Sequence, residues 1–147
     1  MNTTFRCDCP ITSALDILGD KWMLVIVKQM LLEEAYTFKD FTESDEAIAT
    51  NILSTKLKIL EEAGILTKSK LPTNRKTNLY LLTEMGLSLT PIIVELALWS
   101  DAHLRGMNPA IRRDEGLVQM KADKEGVVAG LQEQYRKMRE QLLSGNV

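Results

Sequence analysis

The chain has 147 residues, 45% of them hydrophobic, with 18 basic and 20 acidic side chains and a formal net charge of −2. This apolar content excludes a disordered chain, and the length supports one domain with a real core and an added arm. The near-neutral total excludes a protein that coats nucleic acid through bulk charge alone.

Cys7-Asp8-Cys9-Pro10 precedes a helix whose apolar stripe is Ile11, Ala14, Leu15 and Leu18 and which Gly19 ends. Asp20 is placed to cap the next helix, Lys21 to Leu32, which is apolar almost all round and therefore central. Its run Met23 to Val27, the longest apolar run, is too short to cross a bilayer. The N-terminus carries Asp8 and no long apolar region, so a cytoplasmic protein with no secretory signal and no membrane partner is expected. Thr37 caps a short third helix, Phe38 to Phe41, with both aromatics turned inward, and an acidic turn follows at Ser44-Asp45-Glu46. Thr50 to Ala63 is an amphipathic helix closed by Gly64. Two strand-like runs, Ile65–Leu71 and Asn78–Thr83, flank a basic turn, Pro72 to Thr77. Thr83 caps a helix at Glu84-Met85; Gly86 and Pro91 interrupt or restart it, and Pro91 fits best in a first turn or a kink. Ile92 to Leu104 is amphipathic, and Gly106-Met107-Asn108-Pro109 ends it. The tail has helical spacing to Leu143, with Asp123 as the cap of its last helix.

Helix, glycine stop and basic hairpin together predict a mostly α chain with a small β-hairpin wing: a winged helix-turn-helix at 1–106, including a dimerisation helix, and a helical extension at 107–147. The helix would enter the major groove of duplex DNA and the hairpin tip would reach the neighbouring backbone or minor groove. The charge distribution agrees. Between Ile48 and Tyr80, Lys56, Lys58, Lys68, Lys70, Arg75 and Lys76 face only Glu61 and Glu62, a net +4; between Glu33 and Glu46, six acids face Lys39 alone, a net −5. A local positive face suffices for DNA even on an acidic chain. Thr50, Asn51, Ser54 and Thr55 are the candidate base readers. Lys56, Lys58, Asn74, Arg75 and Lys76 are the candidate backbone contacts; Lys58 is nearest the margin of the groove, and Lys21, at a helix start, is placed for phosphate. The tail's apolar side has two destinations, its own domain or a second copy. The second is preferred, because a symmetric dimer spaces two reading helices about one DNA turn apart, on a pseudo-palindromic operator.

Several pieces in order resemble the HxlR-type winged-helix transcription regulators of bacteria, relatives of the MarR group. They are Cys9-Pro10-Ile11, Ala14-Leu15-Asp16, Gly19-Asp20-Lys21-Trp22, Phe38-Lys39-Asp40-Phe41, Leu53 to Glu61, Gly64-Ile65-Leu66, Tyr80 to Gly86, and Trp99 with His103. The resemblance implies transcription regulation, a recognition helix at Leu53 to Glu61 and a dimer-forming helix ending near His103. The chain departs from the family pattern at Ala49, where a Ser or Thr cap is usual, at Lys56 for Arg, in the wing at Asn74 to Thr77, and at Glu34-Ala35 for a Gly-Pro turn. Operator choice therefore cannot be inherited, and the tail beyond Gly106 lies outside the resemblance.

Cys7 and Cys9 are too few for a zinc site, and the only histidine, His103, is distant in sequence. Near a helix N-terminus the field favours thiolate at Cys9. The resemblance implies that a thiol just before Pro-Ile senses oxidants or electrophiles; an inert thiol is the competing reading. With Cys7 as a resolving partner, an inter-subunit disulfide is the expected oxidised form, since a bridge across one residue is strained. The seven methionines read as core filling or as the lining of an effector pocket for a small molecule. Trp22 and Trp99 read as core or interface. No phosphate loop, nucleophile elbow or metal-ligand spacing is present in the sequence, so no enzyme, cofactor or metal is expected. The rival reading is a winged-helix module that binds another protein rather than DNA.

Overall fold

The computed structural model describes residues 4–145. Helix α1 spans Pro10–Leu18, α2 Met23–Glu33, α3 Phe38–Thr42 and α4 Thr50–Glu62. Strands β1 (Leu66–Leu71) and β2 (Asn74–Leu82) follow, then α5 (Glu84–Leu87), α6 (Thr90–His103), α7 (Glu115–Ala122) and α8 (Lys124–Ser144). This is the winged helix-turn-helix that the sequence predicts.

Local chemistry sets most boundaries. Pro10 and Pro91 occupy first turns, where a missing N–H costs nothing. A Cβ at Gly19 would collide with the Leu15 carbonyl oxygen, so α1 must end on glycine. The Asp20 carboxylate accepts from the N–H groups of Trp22 and Met23 at 2.7 and 2.9 Å, so α2 starts at Met23, two residues later than expected. Thr37 and Asp40 form a reciprocal capping box on α3. Gly64 closes α4 at φ +81°, a left-handed position that favours glycine.

Helix α2 is the hub. Ile26, Val27 and Met30 are fully buried against Phe41 of α3, Leu53 and Leu60 of α4, and Leu66 and Leu82 of the hairpin. Phe38 is the less buried of the two α3 aromatics but packs on the same core.

Two expectations are corrected. The six-residue turn Pro72 to Thr77 is a tight turn at Pro72-Thr73: β2 begins at Asn74, and a bulge separates the Lys70↔Asn78 pair from the Leu71↔Asn74 pair. The Asn74 side-chain carbonyl accepts from the Lys76 N–H at 3.3 Å, which curls the extra residues out of the ladder. The second correction concerns the tail. The apolar side of α8 covers its own domain: Leu131, Tyr135 and Met138 join the main core, and Leu142 packs with Leu79 and Leu81. The Leu82 N–H donates to the Tyr135 hydroxyl at 2.8 Å, and Arg139 donates to the Leu82 carbonyl at 2.8 Å. Arg136 and Arg139 grip Glu84 at 2.8 and 2.7 Å. The edge of β2 away from β1 is thereby closed by the Tyr36 carbonyl, which accepts from the Tyr80 N–H at 2.8 Å, together with side chains of α8.

Other apolar side chains remain uncovered, Val118 of α7 and Leu143 of α8 among them. Ile11 and Leu15 on α1 are 72% and 52% exposed. On α6, Ile92, Leu96, Trp99 and His103 recur at i, i+4, i+7 and i+11 and all face solvent. The stretch Glu84–His103 is long and apolar enough by composition to span a bilayer, which the run Met23 to Val27 did not suggest. It is broken after Leu87, however, and carries Glu95 and Asp101 in ion pairs with Lys124 and Lys121.

Candidate nucleic-acid interface

Leu53, Leu57 and Leu60 fix the rotation of α4 by filling the core. The opposite stripe then faces outward, and it consists of Thr50, Asn51, Ser54, Thr55 and Lys58, all exposed. Ala49 at the N-cap supplies no side-chain bond, so the cap is lost rather than passed to Thr50. The first-turn N–H groups of α4 keep their donors free of side-chain acceptors, and the positive end of the helix lies beside the stripe. The Thr55 hydroxyl donates to the Asn51 carbonyl at 3.0 Å. Its proton is committed, so toward a base Thr55 offers lone pairs and a methyl group.

Lys56 is held apart from that stripe. Its ammonium lies 2.6 Å from the Asp20 carboxylate, and its side chain is 23% exposed. Burial opposes ionisation of Asp20, but hydrogen bonds from Lys56 and from the Trp22 and Met23 N–H groups outweigh it and lower the pKa. The pair ties α4 to the turn between α1 and α2. Lys21 is exposed beside that turn, with its ammonium 5.1 Å from the centre of the Trp22 ring.

Asn74, Arg75 and Lys76 are all exposed at the bulged end of the hairpin. Arg75 and Lys76 take part in none of the ion pairs among the described residues. Lys70 is engaged with the Asn78 side-chain carbonyl at 2.9 Å. The bulge thus gathers two free cations and an amide at one tip.

Cys9 is the N-cap residue of α1 and half-buried; Cys7 is exposed, and neither is in a disulfide. The Cys9 thiol makes no capping hydrogen bond. The N–H and hydroxyl of Thr12 and the N–H of Ile11 nevertheless hold its pKa below the ordinary thiol value, because they favour the thiolate over the weakly accepting thiol. Arg6 clamps the preceding segment onto α1, donating to Asp16 from its backbone N–H at 3.1 Å and from Nε at 2.5 Å.

Sequence reasoning missed three partners. Asp20 was legible as a cap but not as the counter-ion of Lys56, because that contact spans two helices. Glu84 signals only a helix start, yet it anchors α8. Gln29 is the one polar residue on the buried side of α2, a signal that was available. Among the described residues no group of three His, Cys, Asp or Glu is placed to hold a metal.

A family description, HxlR-like helix-turn-helix, matches residues 17–108. Cys7 and Cys9 precede that span, and α7 and α8 follow it. The HTH-type transcriptional regulator YodB of Bacillus subtilis is 33% identical over 94 residues, covering 63% of this chain and 83% of its own. The reduced form of YodB superposes with a TM-score of 0.53 at 31% identity, covering 66% of this chain and 95% of that one. YodB structures also exist in diamide-treated and quinone-bound forms. The redox regulator HypR in its oxidised form gives a TM-score of 0.56 at 26% identity, over 72% of this chain and 99% of that one.

Proposed function

This chain belongs to the HxlR-like helix-turn-helix family, whose named relatives are transcriptional regulators rather than enzymes, and from that premise we propose that it binds duplex DNA as a homodimer under the control of the Cys9 thiol. The observation that carries the reading is the pairing of an outward polar stripe with a bulged tip. Thr50, Asn51, Ser54, Thr55 and Lys58 stand on one face of α4, and Asn74, Arg75 and Lys76 stand exposed on the wing. Short hydrogen-bonding side chains on a helix are what base edges require, and exposed cations at a hairpin tip are what phosphates require. Lys56 acts here as a positioning residue through Asp20. Lys21 lies beside that turn and supplies a further phosphate contact.

The homodimer is assigned to the solvent-facing stripes of α1 and α6. Ile11, Leu15, Leu96 and Trp99 are each between 47% and 72% exposed, apolar surface that a partner copy would cover. Two-fold pairing through these helices would present two copies of α4 to successive major grooves of a pseudo-palindromic site. A DNA regulator in a bacterium works in the cytoplasm, which fits this reading.

Cys9 supplies the control. Relatives that are diamide-treated, quinone-bound and oxidised support a thiol with this type of reactivity. A thiolate favoured by the start of α1 would lose electrons to an oxidant, with Cys7 as resolving partner across the subunit boundary, or bond to an electrophile. Either event shifts α1 against its neighbours. Selection of bound sequences from random duplex DNA tests the core proposal. Two-fold related half-sites should be enriched; an unenriched pool overturns the DNA reading and favours a protein partner.

A further inference from the structure

We propose that the open cleft between the end of α2, helix α3 and the turn at Ser44 binds a compact organic cation that carries N–H donors, a primary ammonium or a guanidinium. The cleft holds about 210 Å³ and is walled by Gln29, Glu33, Glu34, Asp40, Glu43 and Ser44. The proposal does not depend on DNA binding.

Gln29 is the decisive wall. It is 1% exposed, and its Nε2 donates to the Ser44 hydroxyl at 2.9 Å and to the Glu46 carboxylate at 2.8 Å. The Ser44 hydroxyl in turn donates to the Phe41 carbonyl at 2.8 Å. Both amide protons are therefore committed, and flipping the amide would turn its oxygen toward a carboxylate. The orientation is fixed by its partners. It leaves Oε1 as the one buried side-chain polar atom among the described residues with no partner. A buried acceptor left unpaired is costly, and it calls for a donor from outside the chain.

The rest of the wall has the same one-sided chemistry. Glu34 lies in no ion pair among the described residues and is exposed. Glu43 reaches only Lys39, at 3.8 Å. Asp40 has one oxygen occupied by the N–H groups of Tyr36 and Thr37. Glu33 is neutralised by Lys28 at 2.5 Å. The wall thus offers acceptors and negative charge but no free donor, so the matching ligand is positive and donor-rich. A bare divalent ion does not match, because no three carboxylates among the described residues converge on one point.

The test titrates agmatine, which has an ammonium and a guanidinium, into the full chain labelled with nitrogen-15 and follows the Gln29 side-chain amide. The expected result is a saturable shift of that signal. Glu34→Gln, an exposed change whose folding is checked by thermal unfolding, should weaken it about tenfold, and Gln29→Met should abolish it. Tetramethylammonium has the charge without N–H donors, and it and Mg²⁺ should leave the signal in place. Three outcomes overturn the proposal: an unmoved Gln29 signal, as when a water satisfies Oε1; equal binding by Glu34→Gln; or an equal response to tetramethylammonium or Mg²⁺. No DNA is present, so failure of the DNA reading cannot be mistaken for failure here.

Discussion

Lys56 on α4 and Asp20 before α2 are joined at 2.6 Å, and the same carboxylate caps α2. One acidic side chain therefore sets both where the central helix starts and how the reading helix lies against it. A lysine so engaged differs in kind from Arg75 and Lys76, which have no carboxylate partner among the described residues.

That difference is measurable. Each phosphate contact releases about one counterion, so losing one reduces the slope of log affinity against log salt by about 1. Arg75→Ala and Lys76→Ala should each flatten the slope by about that amount and weaken all sequences alike. Lys56→Met should leave the slope unchanged and lower stability by about 0.5 kcal/mol, the worth of a partly exposed ion pair. Asn51→Ala or Thr55→Ala should cost about 1–3 kcal/mol on the selected site and almost nothing on random duplex. Fluorescence anisotropy at several salt concentrations separates the three classes. A flattened slope for Lys56→Met returns it to the phosphate set.

The tail is expected to act as a structural clasp. Tyr135→Phe removes the acceptor of the buried Leu82 N–H and should cost about 1–3 kcal/mol in denaturant unfolding. Glu84 gives a pH signature. Arg136 first, then Arg139, hold its carboxyl down at about 2 against an ordinary value of 4.5. The folded pKa is depressed, so the stabilisation is complete above about 4.5 and is lost as pH falls toward 2. The gap in melting temperature between the natural chain and Glu84→Gln should therefore be constant at neutral pH and close between those two values. A gap that persists at pH 2 would mean that the clasp does not depend on this carboxylate.

Removing α8 as an interface narrows the dimer surface. Trp99→Glu or Leu96→Glu places a charge in the α6 stripe and should give monomers at micromolar concentration, with circular dichroism and the melting transition of the folded domain retained. Ile11→Glu should act in the same direction from α1. Sedimentation velocity decides it. A dimer that survives all three substitutions is built on some other face.

The extent of what could be read from the sequence follows from which interactions are local. Asp20, Thr37, Thr83 and Asp123 announce helix starts because a cap bonds within three residues of itself. The stripe on α4 was legible because Leu53, Leu57 and Leu60 fix its rotation at helical spacing. The bulge at Arg75 to Thr77 was not, since strand register depends on both strands at once. Nor was the destination of α8: an apolar helix face looks the same whether it meets its own β2 or a second chain. Its packing on the core and the hydrogen bonds of Tyr135 and Arg139 to Leu82, more than fifty residues away, decide it. The charge pattern misled in one respect, because a count of +4 over Ile48 to Tyr80 includes Lys56, which is already paired.

Cys9 gives the final prediction. Its Sγ faces the first-turn donors of Thr12 and Ile11, which lower its pKa, while Cys7 lies exposed two residues away. The rate of alkylation by iodoacetamide tracks the thiolate fraction, so its inflection at Cys9 should fall below the roughly 8.5 of a free thiol. Thr12→Val deletes one of those donors and keeps the backbone N–H, so the inflection should move upward without reaching the free value. Diamide should change DNA affinity in the natural chain and leave Cys9→Ser unaffected; non-reducing electrophoresis should show a cross-linked dimer that Cys7→Ser diminishes. If Cys9→Ser responds to diamide as the natural chain does, the control lies elsewhere, and the start of α1 serves packing alone.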